Sequence, residues 1–534
     1  MSADNTGSGA SQKPENDTSR AGSGPAPSFP GAAAKGSART PKPTGAPATE
    51  AAAPAARKAH RNDRRHEKTG TTRAKGEGTD LREPGERDRD RILYTSAFRR
   101  LAGITQVAAA DLSHPFLHNR LTHVLEVAQI GRRIAQRLLR QPAQKEVAER
   151  IGGLDPEVVE AACLAHDLGH PPFGHIAEYE LNRLAGTQQV LDGFEGNAQT
   201  FRVVTKLAVR RPGADGLDLT RATLNAILKY PWMRGAGGKR EGKWGAYSTE
   251  RADFEFAREL DPGVDRKSVE AELMDWADDI AYSINDVDDY FQAGKIPLDR
   301  LLRDPQERAE FLDAVYNVWL EFGWVEELRL EHLAKTGTPE TDSKDEKDRQ
   351  ALAAFEPYRV AFEEMVQAVK FPFAVLERPF TGDPKQSKAL RALTSLLTNR
   401  YINGIKLVEP SGRGRLVEID DNKQREVEIL KELTWHYVIR DSSLAAQQEG
   451  QRKVINGLFE IFLDACGDRR RWHLFPASSR EYLAECGADS KDRNAERVRA
   501  VLDLIAGMSE QQAVAMYHRM HGISADSSLS PIIV

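Results

Sequence analysis

The chain has 534 residues, 29 % of them charged and 7 % aromatic, and a formal net charge of -5. That length holds a large core and more than one domain-sized unit, and the slight negative charge gives no electrostatic footprint of a nucleic-acid binder. No run approaches the ~18 apolar residues of a membrane span, MSADNTGSGA lacks a secretory pattern, and the 3 scattered cysteines suggest neither a disulfide framework nor a thiolate zinc site. The expectation is a reduced, cytoplasmic, soluble protein.

Residues 1–87 are rich in Gly, Ala, Ser, Pro and Thr, with almost no large apolar residue between Pro30 and Leu81. Such a segment cannot bury enough apolar surface to offset its ordering entropy, so disorder is expected. Its basic cluster, Arg57 to His66, is either a solvated stretch or a contact for nucleic acid or a partner.

Order is expected from Asp88, with a core over residues 88–292. Ile92, Leu93, Phe98 and Leu101 recur at helical spacings. A loop through Ala110–Pro115 leads to a helix from Asn119 to about Leu139, with His123 three residues after Arg120 on nearly the same face. Asp155-Pro156-Glu157 combines an N-cap, a first-turn proline and an acid. The helix it starts is apolar almost all round and ends in His166-Asp167, followed by Leu168-Gly169-His170-Pro171-Pro172-Phe173-Gly174-His175. Gly169 ends the helix and the prolines prevent its resumption. A buried His beside a buried Asp is costly unless paired or coordinated. His175 begins another helix with Glu178 one turn on. Residues 212–265 break the pattern and are expected to be an irregular excursion outside the core.

Over residues 267–291, Val269, Leu273, Trp276, Ile280, Ile284, Val287 and Phe291 form an apolar stripe. Asp275, Asp278, Asp279, Tyr282, Asp286 and Asp289 gather away from it. Like charges at this spacing disfavour a helix, so the face is either a solvated acidic surface or turned toward a metal and a polar ligand. Residues 293–534 are expected to complete the fold with further helices, a mobile insertion near 336–349, and a short hairpin from Lys406–Val408 and Leu416–Ile419. Strand signals are otherwise scarce, so the fold class is all-α.

Three helices thus offer His123, His166 with Asp167, and Asp278 or Asp279, a His₂Asp₂ set able to hold one divalent ion. His123…His166-Asp167…Asp278 resembles the H…HD…D signature of the HD phosphohydrolase superfamily. Segments around it are similar to the deoxynucleoside triphosphate triphosphohydrolase branch (dGTPase-like proteins). They are Asp88–Ile92, Phe98–Leu101, Thr105–Val107, the stretch through His175, Phe194–Thr200, Leu228–Trp232, Ala277–Ser283 and Ile505–Met508.

The resemblance implies a multi-helix HD-domain fold. It also implies metal-dependent hydrolysis of a dNTP, such as dGTP, to deoxynucleoside and inorganic triphosphate. His123, His166, Asp167 and Asp278 match the metal ligands, with Mg²⁺ or Mn²⁺ foremost and other transition metals acceptable. His175 and Glu178 match a proton-handling pair, and His170 a phosphate ligand or proton donor. Arg120 and Lys229 would neutralise the triphosphate, with Tyr230 adding a hydroxyl. Gln106 and Asp286 would meet the 3′-hydroxyl, and Tyr282 would stack under the deoxyribose. Asn197 and Gln199 stand between binding and helix packing. A homo-oligomer and a nucleotide effector are also implied. The competing readings are an HD hydrolase of another nucleotide and a non-catalytic sensor of nucleotide or nucleic acid.

Overall fold

Three helices meet where their side chains are smallest. In this computed structural model, which describes residues 60–66, 80–107, 117–208, 215–235, 241–259, 261, 263–410, 414–440, 442–485 and 493–523, they are α2 (Arg120–Arg140), α3 (Pro156–Ala165) and α7 (Val269–Gln292). A Cβ at Gly131 of α2 would lie 2.7 Å from Cys163 Sγ on α3 and 3.5 Å from Ala277 Cβ on α7. Any side chain there would push the helices apart. The crossing lies two turns from His123, one turn from His166 and next to Asp278, so it sets the distances among them.

Local chemistry fixes the helix ends. Asp155 accepts the Glu157 amide and Pro156 fills the first turn of α3; Asn119 and Thr122 form a reciprocal cap on α2. Around the three helices pack α1 (Pro84–Leu93), α5 (Gly196–Arg202), α6 (Arg221–Ile227), α8 (Pro305–Glu321), α9 (Lys344–Lys370), α10 (Pro384–Ile402) and α11 (Asp421–Thr434). One continuous buried cluster runs from Ile92 to Val438. The expected hairpin is present: β1 (Ile405–Leu407) and β2 (Val417–Ile419) pair antiparallel, Ile405 opposite Ile419.

A second core is separate. Leu181 and Leu184 of α4 (His175–Thr187) pack with Leu458 and Phe462 of α12 (Ser442–Gly467), Val501 and Ile505 of α13 (Arg493–Ala506), and Met516 of α14 (Glu510–Met520). The chain passes from the first core to the second within residues 166–175. The stretch linking His166 to His175 is therefore the seam of the molecule.

Three expectations are corrected. Residues 212–265 are not an excursion: Leu224, Ile227, Trp244 and Tyr247 are buried, and two helices form within the segment. The residues that interrupt its periodicity, such as Trp244, are themselves core. The end of the basic cluster is not simply solvated: Arg61, Arg64 and Arg65 make ion pairs with Glu270, Asp88 and Asp253, although His60, Asn62, Arg65 and His66 stay exposed. Of the insertion, residues 344–349 are already the start of α9. The expectations for residues 1–59, 67–79 and the loop 110–115 lie outside the described residues. Among the described residues, no helix is long and apolar enough to cross a membrane.

Candidate functional site

The seam and the three-helix crossing bring four expected ligands together. His123 Nε2 lies 3.0 Å from Asp278 Oδ1, and His166 Nε2 lies 3.5 Å from Asp167 Oδ1 and 3.7 Å from Asp278 Oδ1. Donor atoms of His123, His166 and Asp167 all fall within 4.8 Å of one another. His166 is oriented from behind: its Nδ1 lies 2.6 Å from the Cys163 carbonyl. A carbonyl only accepts, so Nδ1 carries the proton and Nε2 the lone pair. That Nε2 is buried without a hydrogen-bond partner. A buried lone pair facing two carboxylates is unfavourable unless a cation stands among them. The donor set therefore fits a divalent metal ion, with hard carboxylates and imidazoles suited to several metals. Asp279 turns away, 2.8 Å from Lys431 on α11, leaving Asp278 as the carboxylate of this pair that meets the histidines.

Cations hold the acids ionised. Arg120 Nη1 donates to Asp167 Oδ2 at 2.6 Å, and Lys229 Nζ reaches Asp278 Oδ2 at 2.9 Å and Asp275 Oδ1 at 3.0 Å. Burial opposes ionisation of Asp167 and Asp278, yet Arg120 in the first case and Lys229 in the second keep their carboxyls far below the usual range. Asp275 is likewise held low against burial by Lys229 and Lys267. Asp275 and Asp278 on the acidic face of α7 are thus turned inward and neutralised.

The second half of the site sits one loop away. His175 Nδ1 lies 2.9 Å from Glu178 Oε2, and the opposite oxygen, Oε1, accepts from Lys243 Nζ at 2.7 Å and from the Gly196 amide at 3.3 Å. Burial would raise the Glu178 pKa, but Lys243 and His175 hold it well below normal. The ionised acid accepts the hydrogen bond from Nδ1–H, which leaves Nε2 as the reactive nitrogen of a ring whose side chain is 61 % exposed. His170 bridges the halves, 3.1 Å from Asp167 Oδ1 and with its ring centroid 5.7 Å from that of His175. Burial, then Arg120, lowers its pKa to about 3, so it is neutral at physiological pH.

The remaining candidates line the same region unevenly. Tyr282 and Asp286 follow Asp278 on α7 at successive turns; burial and then Asp286 raise the Tyr282 hydroxyl well above its normal range. Asp286 is pushed up to about 7 by burial and then by Asp289, and its Oδ2 is buried without a partner. Gln106 has a buried, unpartnered Oε1 and stands next to Thr105, which bridges to Asn119 at the start of α2. Tyr230 is raised by burial and lies within the fields of Lys229 and Lys243. Gln199 does not face the site: its amide donates to Asp503 on α13 at 2.8 Å, and Asn197 donates to Glu195 at 2.8 Å.

Sequence reasoning passed over Lys243 and Thr200. Thr200 stitches the seam: its hydroxyl donates to the His166 carbonyl at 3.0 Å and accepts the Gly169 amide at 2.9 Å. Gly169 itself admits no side chain, since a Cβ would lie 2.1 Å from Thr200 N. The close packing of Phe194–Thr200 on this loop was the available signal. Lys243 offered none, because it follows a stretch without periodicity and meets an acid 65 residues away.

Comparison with known proteins agrees with this geometry. The HD domain family model matches residues 120–283, and the phosphohydrolase-associated domain model matches residues 417–519. A deoxyguanosinetriphosphate triphosphohydrolase-like protein of Streptomyces coelicolor is 35 % identical over 454 residues, covering 82 % of this chain and 92 % of the relative. One from Corynebacterium efficiens is 34 % identical over 467 residues, 83 % of this chain and 93 % of the relative. A Vibrio cholerae relative of that name, numbered 2, is 31 % identical over 440 residues, 82 % and 88 % of the respective chains. The chain belongs to the HD-domain phosphohydrolases, in the family of deoxyguanosinetriphosphate triphosphohydrolase-like proteins.

Proposed function

We propose that this protein is a metal-dependent triphosphohydrolase of deoxynucleoside triphosphates, releasing deoxynucleoside and inorganic triphosphate. The observation that carries the reading is the unpartnered His166 Nε2 among Asp167, Asp278 and His123, beside a separate His175–Glu178–Lys243 chain. A binding module would need no second, proton-handling cluster. The names of the relatives support the same substrate class.

His123, His166, Asp167 and Asp278 would hold the ion, Mg²⁺ or Mn²⁺ foremost. When bound, it supplies polarisation of a phosphoryl oxygen and acidification of water. Arg120 and Lys229 neutralise the triphosphate, with Tyr230 donating a hydroxyl bond. Water adds its oxygen to the α-phosphorus, and the bond from that phosphorus to the 5′-oxygen breaks. His175 Nε2 is free to take the proton from the water and to return it to the departing 5′-oxygen, while Glu178 stabilises the imidazolium and Lys243 keeps Glu178 ionised. Neutral His170 serves as a hydrogen-bond partner for the phosphate. Asp286 and Gln106 take the 3′-hydroxyl, and Tyr282 lies under the deoxyribose, crowding a 2′-hydroxyl. The reading extends to a cytoplasmic homo-oligomer with a nucleotide effector, which light scattering with and without dNTP tests.

The deciding experiment incubates the protein with Mn²⁺ or Mg²⁺ and each dNTP in turn and separates the products. Deoxynucleoside plus triphosphate is expected. Pyrophosphate, or a monophosphate released from a different nucleotide, overturns the reading.

A further inference from the structure

Phe173 has φ of 68°, in the left-handed region that residues with a Cβ avoid. It lies between His170 and His175, and Gly174 follows it at φ 57°. Backbone strain at such a place persists only if the surroundings hold it. The hold comes from the far end of the chain. Glu510, the first residue of α14, accepts the Phe173 amide on Oε1 at 3.2 Å. The same oxygen accepts the Thr105 amide at 2.9 Å, and Oε2 accepts the Thr105 hydroxyl at 2.7 Å.

The carboxylate is thus committed to uncharged donors on two segments. One carries Gln106; the other carries His170 and His175. Arg100 adds a second tie from the same direction, donating to the Leu168 carbonyl at 2.6 Å and to the Met508 carbonyl at 3.2 Å. The turn at 508–510 therefore braces the loop at both of its ends. That turn is firmly set: Ser509 and Gln512 cap α14 reciprocally, and Met508 and Ala513 are buried in the second core.

We propose that Glu510 is a positioning residue of the active site, holding the strained Phe173 turn and the Thr105–Gln106 segment in register across the seam. The inference rests on the roles given above to His175 and Gln106. A glutamate suits the task because both oxygens accept, and its charge shortens and strengthens bonds from neutral donors. A glutamine can reproduce the contacts: its Oε1 takes the two amides, and its amide group donates to the Thr105 hydroxyl, which can accept. An alanine reproduces none.

The test compares Glu510→Ala with Glu510→Gln in the full chain. Glu510→Ala should lower kcat about tenfold or more through misplacement of the proton-handling groups, with bound metal unchanged. Glu510→Gln should restore kcat to within about threefold of the starting enzyme. Hydrogen exchange over residues 168–176 should accelerate in the alanine variant and not in the glutamine variant. Unchanged kcat and exchange in Glu510→Ala, or equal damage in both variants, overturns the proposal. Failure of the unaltered protein to hydrolyse any dNTP would instead sink the functional reading, and the exchange measurement would still judge the tether.

Discussion

Asp286 is a buried carboxyl without a partner for Oδ2, and its pKa of about 7 has a thermodynamic consequence. The ordinary aspartate value is near 3.9. A folded-state pKa above the unfolded one means that ionisation opposes folding, so the penalty is absent below about pH 4 and grows as pH rises toward 7. Asp286→Asn should therefore stabilise the substrate-free protein at pH 8 by on the order of a few kcal/mol, read as a higher melting temperature. At pH 4 the two proteins should melt alike. In the functional reading the same change weakens the 3′-hydroxyl contact and raises KM. Equal melting curves at pH 8 would show that this carboxyl is not strained by burial. Residues of this kind were legible in sequence when they stood on helices: Asp278, Tyr282 and Asp286 share one ridge, and His123 and His166 cap or enter helices with clear periodicity. Lys243 was not legible, because the contact that gives it meaning is with Glu178 on another element.

At the scale of elements, the end of the basic cluster acts as a strap. Arg64 Nη1 meets Asp88 Oδ1 of α1 at 2.5 Å, with the two side chains only 6 % and 0 % exposed. Asp88 Oδ2 in turn accepts the Thr220 amide and hydroxyl at 2.8 and 2.7 Å, which caps α6. The carbonyls of Asp63 and Arg61 accept the amides of Arg221 and Ala222 at 2.9 and 3.0 Å. The strap thus closes the N-terminal end of α6, and the C-terminal end of α6 leads directly to Lys229. Removing one partner of a buried ion pair leaves an uncompensated charge, at a cost of about 3–5 kcal/mol. Arg64→Ala should lower the melting temperature by several degrees relative to the unaltered chain. Unchanged melting in Arg64→Ala would show that the strap contributes nothing. Composition averaged over residues 1–87 concealed these contacts, since a seven-residue stretch held by arginines buries charge rather than apolar surface.

Among the described residues, the two large cores meet at the proposed catalytic centre. The all-helical class, the hairpin and the placing of the candidate ligands on helices followed from local periodicity and capping; the division into two large cores did not, because it depends on α4 leaving the helices that precede it in the chain to join α12, α13 and α14. The four candidate ligands all come from the first core or its edge: α2, the end of α3 and α7. Without an ion, Arg120 and Lys229, together with the His123 contact to Asp278, offset the repulsion among those carboxylates and the unpartnered imidazole nitrogen. An ion bound there would stabilise the folded state by mass action, about 2.7 kcal/mol at a free concentration one hundred times its Kd. Chelation should therefore lower the melting temperature, and Mn²⁺ should restore it. Asp167→Asn should bind less metal, lose turnover and melt at a temperature that no longer responds to chelator. His175→Ala should also lose turnover but keep the full metal-dependent shift, because His175 is an exposed residue at the start of α4 that pairs with Glu178, outside the candidate ligand set. Loss of the shift in His175→Ala, or its persistence in Asp167→Asn, would contradict the division of labour between the two cores.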